Sequence, residues 1–341
     1  MVRTVGWDVG GAHLKAALAE NGRVLKVFQE ATPLWRGLES LDAAVAAIVP
    51  QVTGAEHHGV TMTGELADVF DTRPEGVASL AALMAERLGP GTRLYAGARG
   101  FVPPAEASEA SAAIASANWH ATARFIATTM DEALLVDMGS TTTDIVPVAD
   151  GTVLARGTSD AERMEAGELV YVGYTRTALM ALGAEMPFAG RRVPVMNELF
   201  ATMADALRAA GALDEDDDLQ DAADGKAKTL EASRARLARM IGRDAAEASP
   251  EAWADLGRAF VEAAIRRVHD AALVVLSRAE VSEDASIVVA GTGRPLLRRV
   301  ASRLDRGLVD FADLVECRDE LRDAVRRAAP AAAVALLASK E

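Results

Sequence analysis

Residues Leu134–Val148 read LLVDMGSTTTDIVPV. An apolar run ends at Asp137, Gly139 turns the chain, Ser140 to Thr143 supply four consecutive hydroxyls, and Asp144 opens a second apolar run. A glycine after a strand lets the backbone turn tightly and aim amide hydrogens at an anion. Hydroxyls in the same turn add donors to the same oxygens. The stretch is suited to holding a phosphate group.

A second copy lies near the start of the sequence. Trp7–Leu18, WDVGGAHLKAAL, aligns without gaps on Val136–Pro147, VDMGSTTTDIVP. Asp8 falls on Asp137, Gly10 on Gly139, and Lys15 on Asp144. Around each copy the pattern is strand, turn, strand, turn, strand. Asn21-Gly22 closes the second turn in the first unit and Asp150-Gly151 in the second, both hairpin signals. The first unit continues as helix (LDAAVAAIVPQV), strand (to GVTMTGEL), helix (VASLAALMAERL), strand (TRLYAGARGFV), and a long helix over residues 109–130. The second resumes with a long amphipathic helix from Trp253, a buried strand, a glycine turn and a helix (ASIVVAGTGRPLLRRVASRL), a short strand near LVDFADLV, and a C-terminal helix from Arg318. This predicts an α/β protein of two duplicated units with a cleft between them. An insertion over about 160–250 interrupts the second unit. It is expected to be mainly helical, with its acidic run LDEDDDLQD as a solvated loop and Lys226 and Lys228 in a solvated basic loop.

Composition narrows the partners. The chain has 341 residues, half of them hydrophobic and a quarter charged, with a formal net charge of −14. That profile fits a globular protein and argues against nucleic acid or anionic membranes as partners. A single cysteine, Cys317, excludes an internal disulfide framework and a cysteine zinc cluster, and fits a cytoplasmic location. No apolar run approaches the ~20 residues of a membrane span. An Ala-rich helical surface is compatible with a homodimer.

The candidate chemistry sits in three glycine turns. Asp8, Asp137 and Asp144 would repel a bare phosphate, so a Mg2+ ion is the expected mediator, with these aspartates as its candidate ligands. Gly10, Gly11, Gly139, Ser140, Thr141 and Thr142 are candidates to cradle the phosphates. Lys15 could neutralise an oxygen, and His13 is either a donor or a turn residue. The third turn, Gly291, Thr292 and Gly293, joins a buried strand to a helix N-terminus.

In this order the three turns resemble the phosphate-1, phosphate-2 and adenosine motifs of the superfamily of acetate and sugar kinases, Hsp70 and actin. The resemblance implies two ribonuclease-H-like domains, over 1–130 and 131–317, with the helix over 318–341 packing back on the first. DMGSTTTDIVPV is similar to the D-x-G-[GS]-T-x-T-D pattern of the hydantoinase A/oxoprolinase branch. His13 departs from that branch, which usually has a hydroxyl after its Gly-Gly. TPLW (from Thr32), TMTGEL (from Thr61), ASANW (from Ala115) and GELVYVGYTRT (from Gly167) further resemble a small family of one-carbon metabolism linked to tetrahydromethanopterin and methanofuran.

The activity this resemblance implies joins [5-(aminomethyl)furan-3-yl]methyl diphosphate to γ-glutamyltyramine, forming an aryl ether and releasing diphosphate. ATP is not expected in such a reaction. The phenol needs a base, for which Asp144, Glu65 and Asp8 are candidates. Arg99 and Arg176 could bind diphosphate or the glutamyl carboxylate, and Tyr171 and Tyr174 could contact the furan or tyramine ring. Asn118 and Trp119 lie on the long helix, where tryptophan packs. Two other readings of the same fold are an ATP-dependent kinase or cyclic-amide hydrolase, for which ATP is possible, and a non-catalytic nucleotide-binding regulator.

Overall fold

The computed structural model describes residues 3–340; Val2 and Glu341, which the sequence reading placed in the first strand and the last helix, lie outside the described residues. The first unit runs β1 (Arg3–Val9), β2 (His13–Glu20), β3 (Arg23–Ala31), α1 (Glu39–Ile48), β4 (His57–Met62), α2 (Arg73–Leu88), β5 (Thr92–Tyr95) and β6 (Phe101–Val102). Then come α3 (Ser111–Ile114) and α4 (Asn118–Ala127). The second unit begins with β7 (Glu132–Met138), β8 (Thr143–Ala149) and β9 (Thr152–Val153). The insertion carries α5 (Asp160–Glu165), β10 (Leu169–Val170), β11 (Glu185–Phe188), β12 (Arg191–Pro194), α6 (Met203–Ala209) and α7 (Leu230–Met240). The chain continues with α8 (Pro250–Leu276), β13 (Ile287–Ala290), α9 (Arg294–Arg303), β14 (Leu308–Asp310), β15 (Glu316–Cys317), α10 (Arg322–Arg327) and α11 (Ala329–Ala338).

The two sheets repeat one topology. The first is ordered β15-β3-β2-β1-β4-β5-β6 and the second β10-β8-β7-β13-β14, with β9 also on β8. In each, the first two pairings are antiparallel and the next two parallel: β3-β2-β1-β4-β5 corresponds to β9-β8-β7-β13-β14. The equivalence extends to register, because Asp8 faces Lys15 across its hairpin and Asp137 faces Asp144 across the other. Asn21-Gly22 and Asp150-Gly151 all take positive φ, between 50° and 81°, as two-residue hairpin turns require.

Between the sheets lies α11, apolar on every side and buried from Ala329 to Leu336. It packs on β1, β2 and β4 and against α4, which in turn packs on β7 and β8. Close approach explains a glycine in the middle of β1: a Cβ on Gly6 would lie 2.0 Å from the Ala331 carbonyl oxygen. Alanines on the helix and glycine on the strand let the backbones nearly touch.

Four local expectations are corrected. The long helix over 109–130 is broken, because Ser116 takes φ 52° and separates α3 from α4. The C-terminal helix is likewise two helices, divided at Ala328 just before Pro330. The insertion includes strand β10 and the β11–β12 hairpin besides its helices. Its acidic run is a solvated loop only in part: Asp214, Glu215 and Asp216 are exposed, but Asp217 and Asp218 are buried, and Arg208, Lys228 and Arg327 pair with them. Arg208 and Lys228 lie ten residues either side of Asp218, and Arg327 comes from the far side of the second unit to reach Asp217. Among the described residues no helix is long and apolar enough to cross a membrane.

Candidate active site

The two hairpin turns open on one cavity of about 550 Å3. Each turn is closed by the same bond: the Gly10 amide donates to the His13 carbonyl at 3.0 Å, and the Gly139 amide to the Thr142 carbonyl at 2.9 Å. Asp8, Gly10, Gly11, His13 and Lys15 line one wall; Gly139, Ser140, Thr141, Thr142 and Asp144 line the other. Arg176 closes this side, with its guanidinium 3.5 Å from Thr141 Oγ1. Asp137 sits just behind the wall, nearly buried at the end of β7.

The insertion holds the second turn in place. Amides of Tyr174, Thr175 and Arg176 donate to the carbonyls of Gly139 and Ser140, at 2.9, 3.2 and 2.9 Å. A Cβ on Gly173 would come within 2.4 Å of the Thr141 nitrogen, so glycine is what allows this segment to lie across the turn. With its carbonyls engaged from behind, the turn keeps Ser140, Thr141 and Thr142 at the cavity, whereas the Thr143 hydroxyl is buried and donates to the Val172 carbonyl at 2.6 Å.

Charge is unevenly compensated here. Burial, opposed by Lys15 and Asn118, raises Asp8 to about 6. Burial and the neighbouring Asp144 raise Asp137 to about 7. Asp144 is also raised by burial, against the pull of Arg163. Only Asp144 has a close guanidinium partner, Arg163 at 2.8 Å. Lys15 Nζ donates to the Arg327 carbonyl at 2.7 Å. His13 is pulled down to about 4 by burial and by Lys15 and Arg176, so its imidazole is neutral at physiological pH.

Among the described residues no group of three or more carboxylate, histidine or cysteine side chains converges as a metal shell, so Asp8, Asp137 and Asp144 do not form a closed set of ligands. The weaker requirement of Mg2+ is met. This ion is commonly held by one or two carboxylates together with substrate phosphates and waters. Asp8 Oδ1 is buried without a hydrogen-bond partner, and Lys15 only partly offsets the burial of Asp8 and Asp137.

Breaking the helix at Ser116 brings three residues to the cavity that a continuous helix would carry differently: Ser116, Asn118 and Trp119. Ser116 Oγ donates at 2.8 Å to Glu65 Oε1, whose carboxylate lies buried behind it. The other oxygen of Glu65 is unpartnered, and burial raises this group as well. Arg163 was not singled out in the sequence. It is 1% exposed, stacks 3.8 Å over the Trp119 ring and reaches Asp144. It lies in DAERME, where the only signal is a Ser159–Glu162 capping box, so nothing in the sequence marks it.

Other candidates lie elsewhere. Arg99 is on the rim of a separate cavity and pairs with Glu106 at 3.5 Å, so it does not reach the cleft. Tyr174 is buried, with its hydroxyl donating to the Ala212 carbonyl. Gly291, Thr292 and Gly293 do not line the cavity. A Cβ on Gly291 would meet Asp137 Oδ1 at 2.4 Å, and the Gly291 amide donates to the Arg326 carbonyl at 3.0 Å. This turn buttresses Asp137 and is covered by α10.

The cavity mouth differs from its floor. Trp35, Leu66 and Tyr171 line it, and they are among the large hydrophobic side chains most exposed to solvent, at 45, 46 and 57%. Apolar groups gathered around a polar pit mark a ligand site.

Two copies of one sheet topology, each offering a hydroxyl or glycine turn to a shared cleft, define a duplicated two-lobed α/β fold that sugar kinases share. A ROK family glucokinase from Streptomyces griseus, solved with glucose and AMPPNP, superposes with a TM-score of 0.50 at 16% identity, covering 99% of this chain and 100% of the glucokinase. At that identity the likeness shows the fold alone. Within the class, the sequence profile of the hydantoinase/oxoprolinase family matches residues 56–311, and the chain belongs to that family. It is 28% identical over 341 residues to (4-{4-[2-(gamma-L-glutamylamino)ethyl]phenoxymethyl}furan-2-yl)methanamine synthase of Methanocaldococcus jannaschii, covering 100% of this chain and 98% of the relative. The protein of the same name from Methanococcus vannielii is 29% identical over 223 residues, 64% of this chain and 96% of the relative.

Proposed function

We propose that the protein is a transferase that condenses [5-(aminomethyl)furan-3-yl]methyl diphosphate with the phenol of γ-glutamyltyramine. The observation that carries this reading is the division of the cavity into a phosphate-type floor and an exposed aromatic mouth. Its likeness to the M. jannaschii synthase along almost the whole length of both chains supports the same chemistry.

In this reading the diphosphate sits between the two hairpin turns, facing Ser140, Thr141 and Thr142 with Lys15 and Arg176 beside it. The bond between the furanylmethyl carbon and the diphosphate oxygen breaks, its electron pair leaving with the diphosphate. The phenol oxygen forms the new bond to that carbon. Mg2+ held by Asp8 and Asp137 would add positive charge to the leaving group. Trp35, Leu66 and Tyr171 cover the reacting carbon and keep water from intercepting it. The phenol proton passes to Ser116 Oγ as Ser116 gives its own to Glu65, whose raised pKa suits it as the final acceptor. Asp144, already held by Arg163, fixes the wall of the cleft.

The test is an incubation with both substrates and Mg2+, without nucleotide. The reading requires aryl ether and diphosphate in equal amounts. A strict need for ATP would replace it with a kinase or hydrolase of the same fold.

A further inference from the structure

A second cavity, of about 540 Å3, lies away from the cleft, where β5, β6, α4, β9 and the end of α11 meet. Its wall from α4 is a single helical stripe, His120, Arg124 and Thr128, spaced four residues apart. Asn118 and Trp119, at the start of the same helix, line the catalytic cleft instead. Three cations face this second cavity from three separate elements: Arg99 from the turn after β5, Arg124 from α4, and Lys340 just beyond α11.

Among the described residues no aspartate or glutamate lines it, in a chain where acidic residues outnumber basic ones 50 to 36. Arg99 pairs with Glu106 at 3.5 Å; both side chains are nearly half exposed, a geometry worth little in water. Arg124 uses one of its donors on the Gly151 carbonyl, leaving most of its fork for another partner. Burial, with Arg124 and Arg163 nearby, lowers His120 to about 4, so its ring is neutral and the site's charge comes from the arginines and the lysine. Phe101 stands edge-on to Tyr95, at 5.2 Å between ring centres, and gives the cavity an apolar wall.

We propose that this cavity is a binding site for a small phosphate monoester, its phosphate held by Arg99, Arg124 and Lys340 and its organic group against Phe101. A dianion matches a cavity lined by three cations better than a carboxylate does, and guanidinium forks suit phosphate geometry. The site is independent of the reaction proposed for the cleft.

The experiment follows backbone amide signals of Gly97 and Gly100, which line this cavity, and of Gly10 and Gly139, which line the cleft. The protein is titrated separately with inorganic phosphate, phenyl phosphate and acetate. Saturable shifts at Gly97 and Gly100 are expected with both phosphates, tighter for phenyl phosphate, and weaker or absent with acetate. In the double variant R99Q/K340Q the affinity read at Gly97 and Gly100 should fall by about tenfold or more, while the Gly10 and Gly139 response and the melting temperature stay unchanged. Shifts confined to the cleft, equal binding by acetate, or unchanged affinity in the variant would each overturn the proposal.

Discussion

At the scale of single residues, the cleft is built from carboxylates that the fold leaves short of positive charge. Asp137 is held near 7 against an ordinary value of 3.8, so between those values the folded protein binds a proton that the unfolded chain releases. The stability this residue contributes is complete below pH 3.8 and gone once the pH passes 7. Asp137→Asn should therefore raise the melting temperature at pH 8, and the gain should disappear near pH 4. Turnover should fall by about a hundredfold or more in the same variant; calorimetry at the two pH values, with an activity assay, reads both. Arg163 sets the opposite case. Arg163→Met leaves the partly buried Asp144 without its guanidinium partner, at a cost of about 1–3 kcal/mol, and adding Asp144→Asn should recover part of it in denaturant titrations. The aspartates were legible in the sequence because each stands in a repeated turn. Arg163 and Ser116 were not, because their roles come from a stacking partner and a helix break that arise only in three dimensions.

At the scale of elements, each hairpin is specified locally and positioned from afar. Strand alternation, Asn21-Gly22, Asp150-Gly151 and the repeated Asp-x-Gly pattern made both three-stranded units readable. What the sequence did not reveal is how the insertion grips the second turn, because those bonds join backbone amides to carbonyls and carry no side-chain signature. Gly173→Ala tests that grip. Its Cβ has no room beside Ser140 and Thr141, so the turn should shift and activity should drop while the overall fold survives. Gly11→Ala is the counterpart: its Cβ would meet nothing within 4 Å, and thermal stability should change by no more than about 0.5 kcal/mol. The relay proposed through the broken helix predicts that Glu65→Gln lowers kcat more than it changes KM, whereas Trp35→Ala at the mouth should mainly raise KM.

At the scale of the whole molecule, the two halves are tied by charge as well as by packing. Arg327, whose carbonyl receives Lys15 from the first unit, pairs with Asp214 and Asp217 of the insertion at 2.8 and 3.0 Å. Arg327→Gln should loosen the insertion, and limited proteolysis should then cut first around residues 214–224. A further tie affects how the molecule is made. The sheet that contains β1 is covered by α11 and extended by β15, both from the far end of the chain. During synthesis the first strands therefore leave the ribosome with one face bare and stay so until α11 has been made. A nascent chain arrested before residue 329 should be a client of holding chaperones, and one released just after residue 338 should not.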